Sequence, residues 1–321
     1  MKREGRSRRV FFWLAAALFF AREADAKKLK IVTTLPDFAS LAQEIGGEYV
    51  QAESLASGVQ NPHFVEAKPS LIIKLMKADL YIENGLQLEI GWAPQLVAAS
   101  RNKRIQLGAA GHLDASTAIV PIEVPTDPTR AMGDIHAGGN PHYLLDPTNA
   151  KPVAEAIAKK LEELSPENAA TFKAKLVLFE KKLDERMKAW AEKLDPYRGA
   201  KFVSYHKDFS YFARRFGFIE TGTIEPKAGI PPTASHAARL IERMKAEGAS
   251  FIVTQPWYEK RTPESIAQAT GAKVVAFALL VGAVPQAGDY FSMMDYNVKS
   301  IAQALANQEA NGKKEKPPAA P

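Results

Sequence analysis

The tripeptide Asn-Pro-His occurs twice in this chain of 321 residues, at residues 61–63 and 140–142. An aromatic residue follows each copy, and an acidic residue, Glu66 or Asp146, lies three or four positions after the histidine. Proline fixes its own φ and favours extended backbone in the residue before it, so each histidine leaves a stiff loop. Imidazole is the commonest metal ligand, and a preorganised ligand loses little entropy on binding. The repeat therefore indicates a metal site.

A third histidine, His206, ends a predicted strand in the second half of the chain. His63 follows a predicted strand, and His142 lies just before a predicted helix. All three fall where ligands bind in open α/β sheets, beyond the carboxyl ends of the strands. Three imidazoles suit zinc. Glu66 and Asp146 are expected to accept the second ring N–H of the ligands, although Asp146 suits a helix N-cap equally well.

The remaining histidines have less chemical context. His112 lies in a Gly-rich loop and His236 in a predicted helix, and both are expected at the surface. His136 precedes two glycines, at positions 138 and 139, that allow the chain to fold back toward His142. His136 is therefore a candidate for transient metal capture.

The two ends of the chain differ from its body. Basic residues, an apolar run at residues 10–21 and Ala-Asp-Ala at residues 24–26 predict a cleaved signal peptide over residues 1–26. The run is shorter than the roughly 20 residues of a membrane-spanning helix. Residues 309–321 are rich in Pro, Ala and Lys and are predicted to be disordered. We expect a periplasmic or other extracytoplasmic protein.

Charge and cysteine content exclude several kinds of partner and site. The formal net charge is +6, but residues 1–26 carry six basic and three acidic side chains, and residues 311–321 carry three basic and one acidic. The body is therefore nearly neutral, and no nucleic-acid partner is expected. The chain has no cysteine. Thiolate ligands are excluded, and a lipid anchor on a cysteine is not expected.

Short β-branched runs alternate with amphipathic segments along most of the chain. This alternation predicts an α/β protein with mostly parallel sheets, in two similar lobes at residues 27–164 and 196–308. In the first lobe, residues 104–110 are predicted to form a strand, and Pro94 is predicted to interrupt a helix. Residues 109–145 are rich in Gly, Pro and Asp and predict a long functional or mobile loop.

One long helix at residues 165–195 is predicted to join the lobes. Its apolar residues recur every three or four positions and form one narrow face; they are Phe172, Leu176, Phe179, Leu183, Met187, Trp190 and Leu194. At 1.5 Å per residue, such a helix spans roughly 43 Å, the width of a domain. A rigid connection within a monomer is the prediction, and a coiled-coil dimerisation arm is the alternative.

Several segments together resemble the metal-binding solute-binding proteins of ABC importers, the zinc and manganese group. They include NPHFVEAKPS, ADLYIENGLQLE, GNPHYLLDP, HKDFSYFARRFG and GDYFSMMDYN. The resemblance covers nearly the whole chain after residue 26. It implies two lobes joined by one rigid helix, a metal cleft between them, and delivery of the ion to a membrane permease. By position, His63, His142 and His206 match the three histidine ligands of that family.

The fourth ligand of the family has no match here. Relatives commonly place an Asp near the end of the last strand, where this chain has Leu279 and Leu280. Water, Glu225 or Asp289 is expected to fill that position. The long His-rich loop of many zinc relatives is also shortened.

Three imidazoles without a carboxylate favour zinc over manganese, which prefers oxygen ligands. We predict extracytoplasmic capture of zinc and its delivery to an ABC permease. A zinc-dependent hydrolase or hydratase is one alternative, because three histidines and a water also form a catalytic site. No nucleophile elbow, phosphate-binding glycine loop or H-E-x-x-H motif occurs, so an enzyme is not predicted. A surface adhesin is the other alternative.

Overall fold

Two parallel sheets of four strands each form the framework of the protein. The computed structural model describes residues 28–126, 136–227 and 229–314. The first sheet has the order β2-β1-β3-β4, with β1 Leu29–Thr33, β2 Val50–Ser54, β3 Leu80–Glu83 and β4 His112–Asp114. The second has the order β6-β5-β7-β8, with β5 Lys201–Ser204, β6 Ile219–Thr223, β7 Phe251–Thr254 and β8 Lys273–Ala276. The repeated order confirms the predicted α/β architecture of two similar lobes.

Helices connect the strands and cover the sheets. They are α1 Pro36–Gly46, α2 Pro69–Met76, α3 Ala93–Ser100, α4 Ala150–Leu164, α5 Ala169–Leu194, α6 Ser210–Phe216, α7 Ala234–Glu247, α8 Arg261–Thr270 and α9 Tyr290–Lys314. Prolines stand in the first turns of α1, α2 and α3. Pro94 therefore begins α3, and the prediction that it interrupts a helix is wrong. The first turn tolerates proline because its N–H groups have no partner within the helix.

The segment between α3 and β4 contains turns instead of the strand predicted at residues 104–110. Backbone bonds from Gly111 N to Arg104 O, 3.0 Å, and from Ala109 N to Gln106 O, 2.9 Å, close the chain on itself. Ile105 is buried in the core, but Leu107 is 86% exposed, so the two side chains do not form the apolar face of a strand. The edge strand β4 begins only at His112.

The long helix α5 follows the prediction. Of its predicted apolar face, Phe172, Phe179, Leu183, Trp190 and Leu194 are buried. The helix packs against α1 and α4 of the first lobe and against α9 from the end of the chain. That apolar face is covered within one chain, so the structure does not support the coiled-coil alternative.

One hydrophobic core runs through both lobes. The same cluster of buried side chains extends from Ile31 in β1 to Leu305 in α9, and a smaller cluster lies on the outer face of the second sheet. The helix α9 continues to Lys314, which lies inside the segment predicted to be disordered. The predicted signal peptide and residues 315–321 lie outside the described residues. Among the helices described, none is long and apolar enough to span a membrane.

Candidate metal centre

Three histidines from different connections meet between the lobes. His63 follows β2, His142 precedes α4, and His206 follows β5. One ring nitrogen of each lies within 4.8 Å of the others. Zinc–nitrogen bonds are about 2.0–2.1 Å long, so tetrahedral ligands stand about 3.4 Å apart. Small side-chain movements are therefore enough to close these three rings on one ion.

The repeated Asn-Pro-His motif forms the same turn in both places. Asn61 Oδ1 accepts from the backbone N–H of His63 at 3.0 Å, and Asn140 Oδ1 accepts from that of His142 at 3.0 Å. Asparagine forms such turns readily because its side chain reaches the backbone two residues on. Asn61 Oδ1 also lies 2.9 Å from His63 Nδ1, which leaves Nε2 of that ring for a metal. The turn and the proline together fix the backbone position of each histidine.

The proline carbonyls of the two motifs are anchored as well. Trp92 Nε1 donates to Pro62 O at 2.9 Å, and Asn84 Nδ2 donates to Pro141 O at 3.2 Å. Both bonds are buried. The sequence reasoning missed Trp92 and Asn84, because nothing in the local pattern says which distant side chain reaches a proline carbonyl.

His206 is oriented by an acid. Its Nδ1 donates to Glu225 Oε2 at 2.8 Å, and the same oxygen accepts from Gly229 N at 3.3 Å. A carboxylate on Nδ1 fixes the tautomer that presents Nε2 to a metal. Glu225 thus contacts the ring nitrogen opposite Nε2 and does not join the three histidines, so its expected role as fourth ligand stays a prediction.

The other expected acids also have different partners. Asp289 Oδ1 accepts from Ser292 N at 2.8 Å at the start of α9, so it caps a helix and does not join the three histidines. Glu66 is exposed and pairs with Lys68 at 3.2 Å. Asp146 caps the turn before α4 through Thr148 N, at 3.0 Å, and pairs with Arg215. The His63 ring therefore bonds to Asn61 instead of Glu66, and the acid that bonds to a ligand ring is Glu225, on His206.

His136 folds back onto the cluster, but toward a different ring from the one predicted. Its Nε2 lies 3.1 Å from His63 Nε2, and the two ring centres are 5.2 Å apart. Gly139 has a φ of +106°, and a Cβ there would meet Ile122 O at 2.8 Å. Only glycine allows this return of the chain without strain. His136 thus contacts the ring nitrogen of His63 that Asn61 does not occupy.

The last two histidines have partners within the protein, and His112 is not at the surface as expected, whereas His236 is half-buried. His112 Nε2 lies 2.9 Å from Glu83 Oε1, and its side chain is 9% exposed. His236 Nε2 donates to Thr223 O at 2.9 Å. Neither contributes to the cluster of three.

Burial gives the three rings different proton affinities. Burial, followed by the charges of neighbouring histidines, holds the pKa of His63 and that of His142 well below the ordinary 6.5. Burial also opposes the charge on His206, but the hydrogen bond to Glu225 and the charge of Asp208 outweigh it and raise the pKa of that ring. Two rings therefore offer free lone pairs at neutral pH, and His206 is the ring at which protons compete most with a metal.

Comparisons with known proteins bear on the family of this chain. The family model of ZnuA, "Zinc-uptake complex component A periplasmic", matches residues 31–304. The metal ABC transporter substrate-binding lipoprotein ScbA of Streptococcus cristatus is 26% identical over 292 residues, 88% of this chain and 91% of the relative. The iron ABC transporter substrate-binding lipoprotein MtsA of Streptococcus pyogenes serotype M1 is 25% identical over 305 residues, 92% of this chain and 95% of the relative.

A solved structure is similar over the same span. The zinc-bound form of a ZnuA deletion mutant superimposes with a TM-score of 0.72 at 28% identity, covering 88% of this chain and 98% of the other. The names of these relatives include both zinc and iron, so they do not specify one metal. The match over residues 31–304 places this chain in the ZnuA family, whose members are metal-binding components of ABC transporters and not enzymes.

Proposed function

We propose that this protein captures zinc outside the cytoplasmic membrane and delivers it to the permease of an ABC importer, with His63, His142 and His206 as the protein ligands. One observation carries the proposal: three ring nitrogens from three separate loops lie within 4.8 Å of one another. Isolated histidines in loops are usually solvated, so the convergence of three of them is best explained by a metal ion that all three bind.

The donor set favours zinc over manganese or iron. Within the described residues, the cluster contains three imidazoles and no carboxylate oxygen. Zinc binds nitrogen ligands readily in a tetrahedral site, whereas manganese prefers harder oxygen ligands. Because zinc, iron and manganese relatives share this fold, the choice of metal rests on the donor atoms of this chain.

Capture by His136 is a second part of the proposal. Its ring lies against His63 Nε2, the nitrogen that the ion needs. An entering ion is held first between these two rings and passes to the cluster when His136 withdraws.

The predicted signal peptide and the extracytoplasmic transport systems of the relatives support a location outside the membrane, where the permease is the partner.

Metal analysis tests the proposal directly. Protein purified without chelator is expected to contain one zinc per chain, and a competition titration with zinc, manganese and ferrous iron is expected to rank zinc first. Each replacement of His63, His142 or His206 by Ala is expected to weaken zinc binding at least 100-fold. His112→Ala is the matched control, since that ring bonds to Glu83 away from the cluster. Retention of zinc affinity by all three variants would contradict the proposal.

A further inference from the structure

Asp37 is a buried acid in the first turn of α1 that faces the other lobe. Its residue is 2% exposed, and its Oδ2 accepts from Val281 N of the second lobe over a long 3.4 Å. No basic side chain among the described residues pairs with it. An unpaired buried carboxylate costs several kcal/mol. Burial accordingly raises the pKa of Asp37 to about 7. A cation must approach it, or the group must stay protonated.

A small cavity joins Asp37 to the metal centre. Its volume is about 20 Å³, and His142 lines it together with Asn84, Leu279 and Leu280. One water needs about 10–15 Å³ of such space and two or more polar partners. The Asp37 carboxylate and Asn84 Oδ1 supply two acceptors for the water, since Asn84 Nδ2 already donates to Gly85 O and Pro141 O. Asp37 is the only carboxylate among the described residues that line this cavity.

The histidine side of the cavity is chemically incomplete. His142 Nε2 is buried and has no hydrogen-bond partner within the described chain. Leu279 and Leu280, which also line the cavity, have no donor atoms for a metal. Three neutral imidazoles also leave the double charge of a divalent ion uncompensated. A water held by an anion on this side would supply a ligand atom and bring a negative charge close to the ion.

We propose that Asp37 is the anion on the His142 side of the metal centre, as Glu225 is behind His206: Asp37 holds one water in the cavity beside His142, and this water completes the coordination of the bound divalent cation. The inference rests on the proposed function, since it assumes an ion at the three histidines. Asp37 acts through the water and is a positioning residue. Asp37 of the first lobe thus supplies the negative charge that Leu279 and Leu280 of the second lobe cannot supply.

The test compares Asp37→Asn with Glu89→Gln. Both remove a buried carboxylate of the first lobe whose pKa burial raises to about 7, but Glu89 does not line the cavity. Zinc affinity is measured by competition titration, and thermal unfolding is followed with and without zinc. Asp37→Asn is expected to weaken zinc binding 10- to 100-fold, the usual effect of losing a partner of a metal ligand. Glu89→Gln is expected to bind within threefold of the wild type.

The unfolding temperatures separate a metal role from a structural one. If Asp37 serves the metal, the zinc-free Asp37→Asn protein melts no lower than the wild type, and only the increase caused by zinc shrinks. If Asp37 only ties the lobes through Val281, the zinc-free protein melts lower and zinc affinity stays within threefold, which overturns the inference. Should Asp37→Asn not fold, Asp37→Ser gives the same comparison. Failure of the wild type itself to bind zinc would instead refute the proposed function.

Discussion

Arg215 of the second lobe donates two parallel hydrogen bonds to Asp146 of the first lobe. Nε donates to Oδ1 at 2.6 Å, and Nη2 donates to Oδ2 at 2.9 Å. Asp146 ends the loop that carries His142, and Arg215 lies in α6, the helix that follows His206. The fork geometry of arginine on a carboxylate fixes direction as well as distance. The pair therefore ties together the two segments that carry histidines of opposite lobes.

Breaking this pair is expected to loosen the metal centre. Asp146→Asn and Arg215→Gln should each lower the free energy of unfolding by about 1.5–3 kcal/mol, the value of hydrogen bonds to a charged group. Zinc affinity should fall about tenfold, because the His142 and His206 loops lose their common anchor. Urea unfolding and zinc competition titrations measure the two effects.

The control for that experiment is Arg243→Gln. Arg243 forms a similar bond to Glu247, at 2.7 Å, but on the exposed face of α7. Arg243→Gln should change neither the free energy of unfolding nor the zinc affinity appreciably. In a double-mutant cycle, the effects of Asp146→Asn and Arg215→Gln should not add; full additivity would show that the pair does not act as a unit.

The asparagines of the two Asn-Pro-His motifs are expected to matter as much as the prolines. Asn61→Ala and Asn140→Ala remove the side-chain oxygens that accept from His63 N and His142 N. Each should weaken zinc binding 10- to 100-fold, as loss of a supporting partner usually does. Asn168→Ala, at the start of the long helix and remote from the site, is the control. Equal affinities for all three variants would mean that the prolines alone orient the rings.

The fold was largely predictable from the sequence because its signals are local. Alternating strands and helices and the apolar face of α5 follow from periodicity within short windows. The failures are also local: Pro94 has the same composition signal whether it begins or breaks a helix. Residues 104–110 resemble a strand, but the chain turns there.

The site was predictable only in part, since ligands and their supports have different signals. His63 and His142 share a repeated motif, whereas Glu225 and Asn84 are ordinary polar residues until the fold brings them close. Glu66 and Asp146 were favoured as partners because they are near in sequence. The partner of His206, by contrast, is Glu225, which comes from another segment 19 residues away.

Glu225 makes zinc binding depend on pH through His206. Burial lowers the pKa of His206, but the bond to Glu225 is the main reason why this pKa is raised overall, so protons compete with zinc at that ring as pH falls through the raised pKa. Glu225→Gln should lower this pKa and also weaken the orientation of the ring. Its zinc affinity should be 10- to 100-fold lower than that of the wild type at pH 8, and the difference should shrink at pH 6.

Zinc titrations at several pH values from 5.5 to 8 measure this prediction. Glu66→Gln is the control, since Glu66 is exposed and bonds only to Lys68. Its curve should follow that of the wild type throughout. If the ratio of the zinc affinities of wild type and Glu225→Gln stays constant across the pH range, His206 is not the pH-sensitive ligand.

Glu89 is expected to make the zinc-free protein less stable as pH rises. Burial is the main cause that raises the pKa of this group from 4.5 in the unfolded chain to about 7 in the folded protein. Because the folded state holds the proton more tightly, the stabilisation is complete below about pH 4.5 and is lost as pH rises through about 7. The full effect is roughly 3 kcal/mol, at 1.36 kcal/mol per pKa unit.

Glu89→Gln keeps the acceptor for Asn84 N and removes the charge. Relative to the wild type, its free energy of unfolding should therefore be higher at pH 8 than at pH 5, by as much as about 3 kcal/mol. Urea unfolding in the presence of a chelator measures this difference. Asp37 and Asp208, whose pKa values burial also raises, add the same pH dependence of stability to both proteins, and that dependence cancels. The exposed Glu185→Gln should show no such dependence. A pH-independent difference for Glu89→Gln would mean that the carboxylate is ionised in the folded protein already at pH 5.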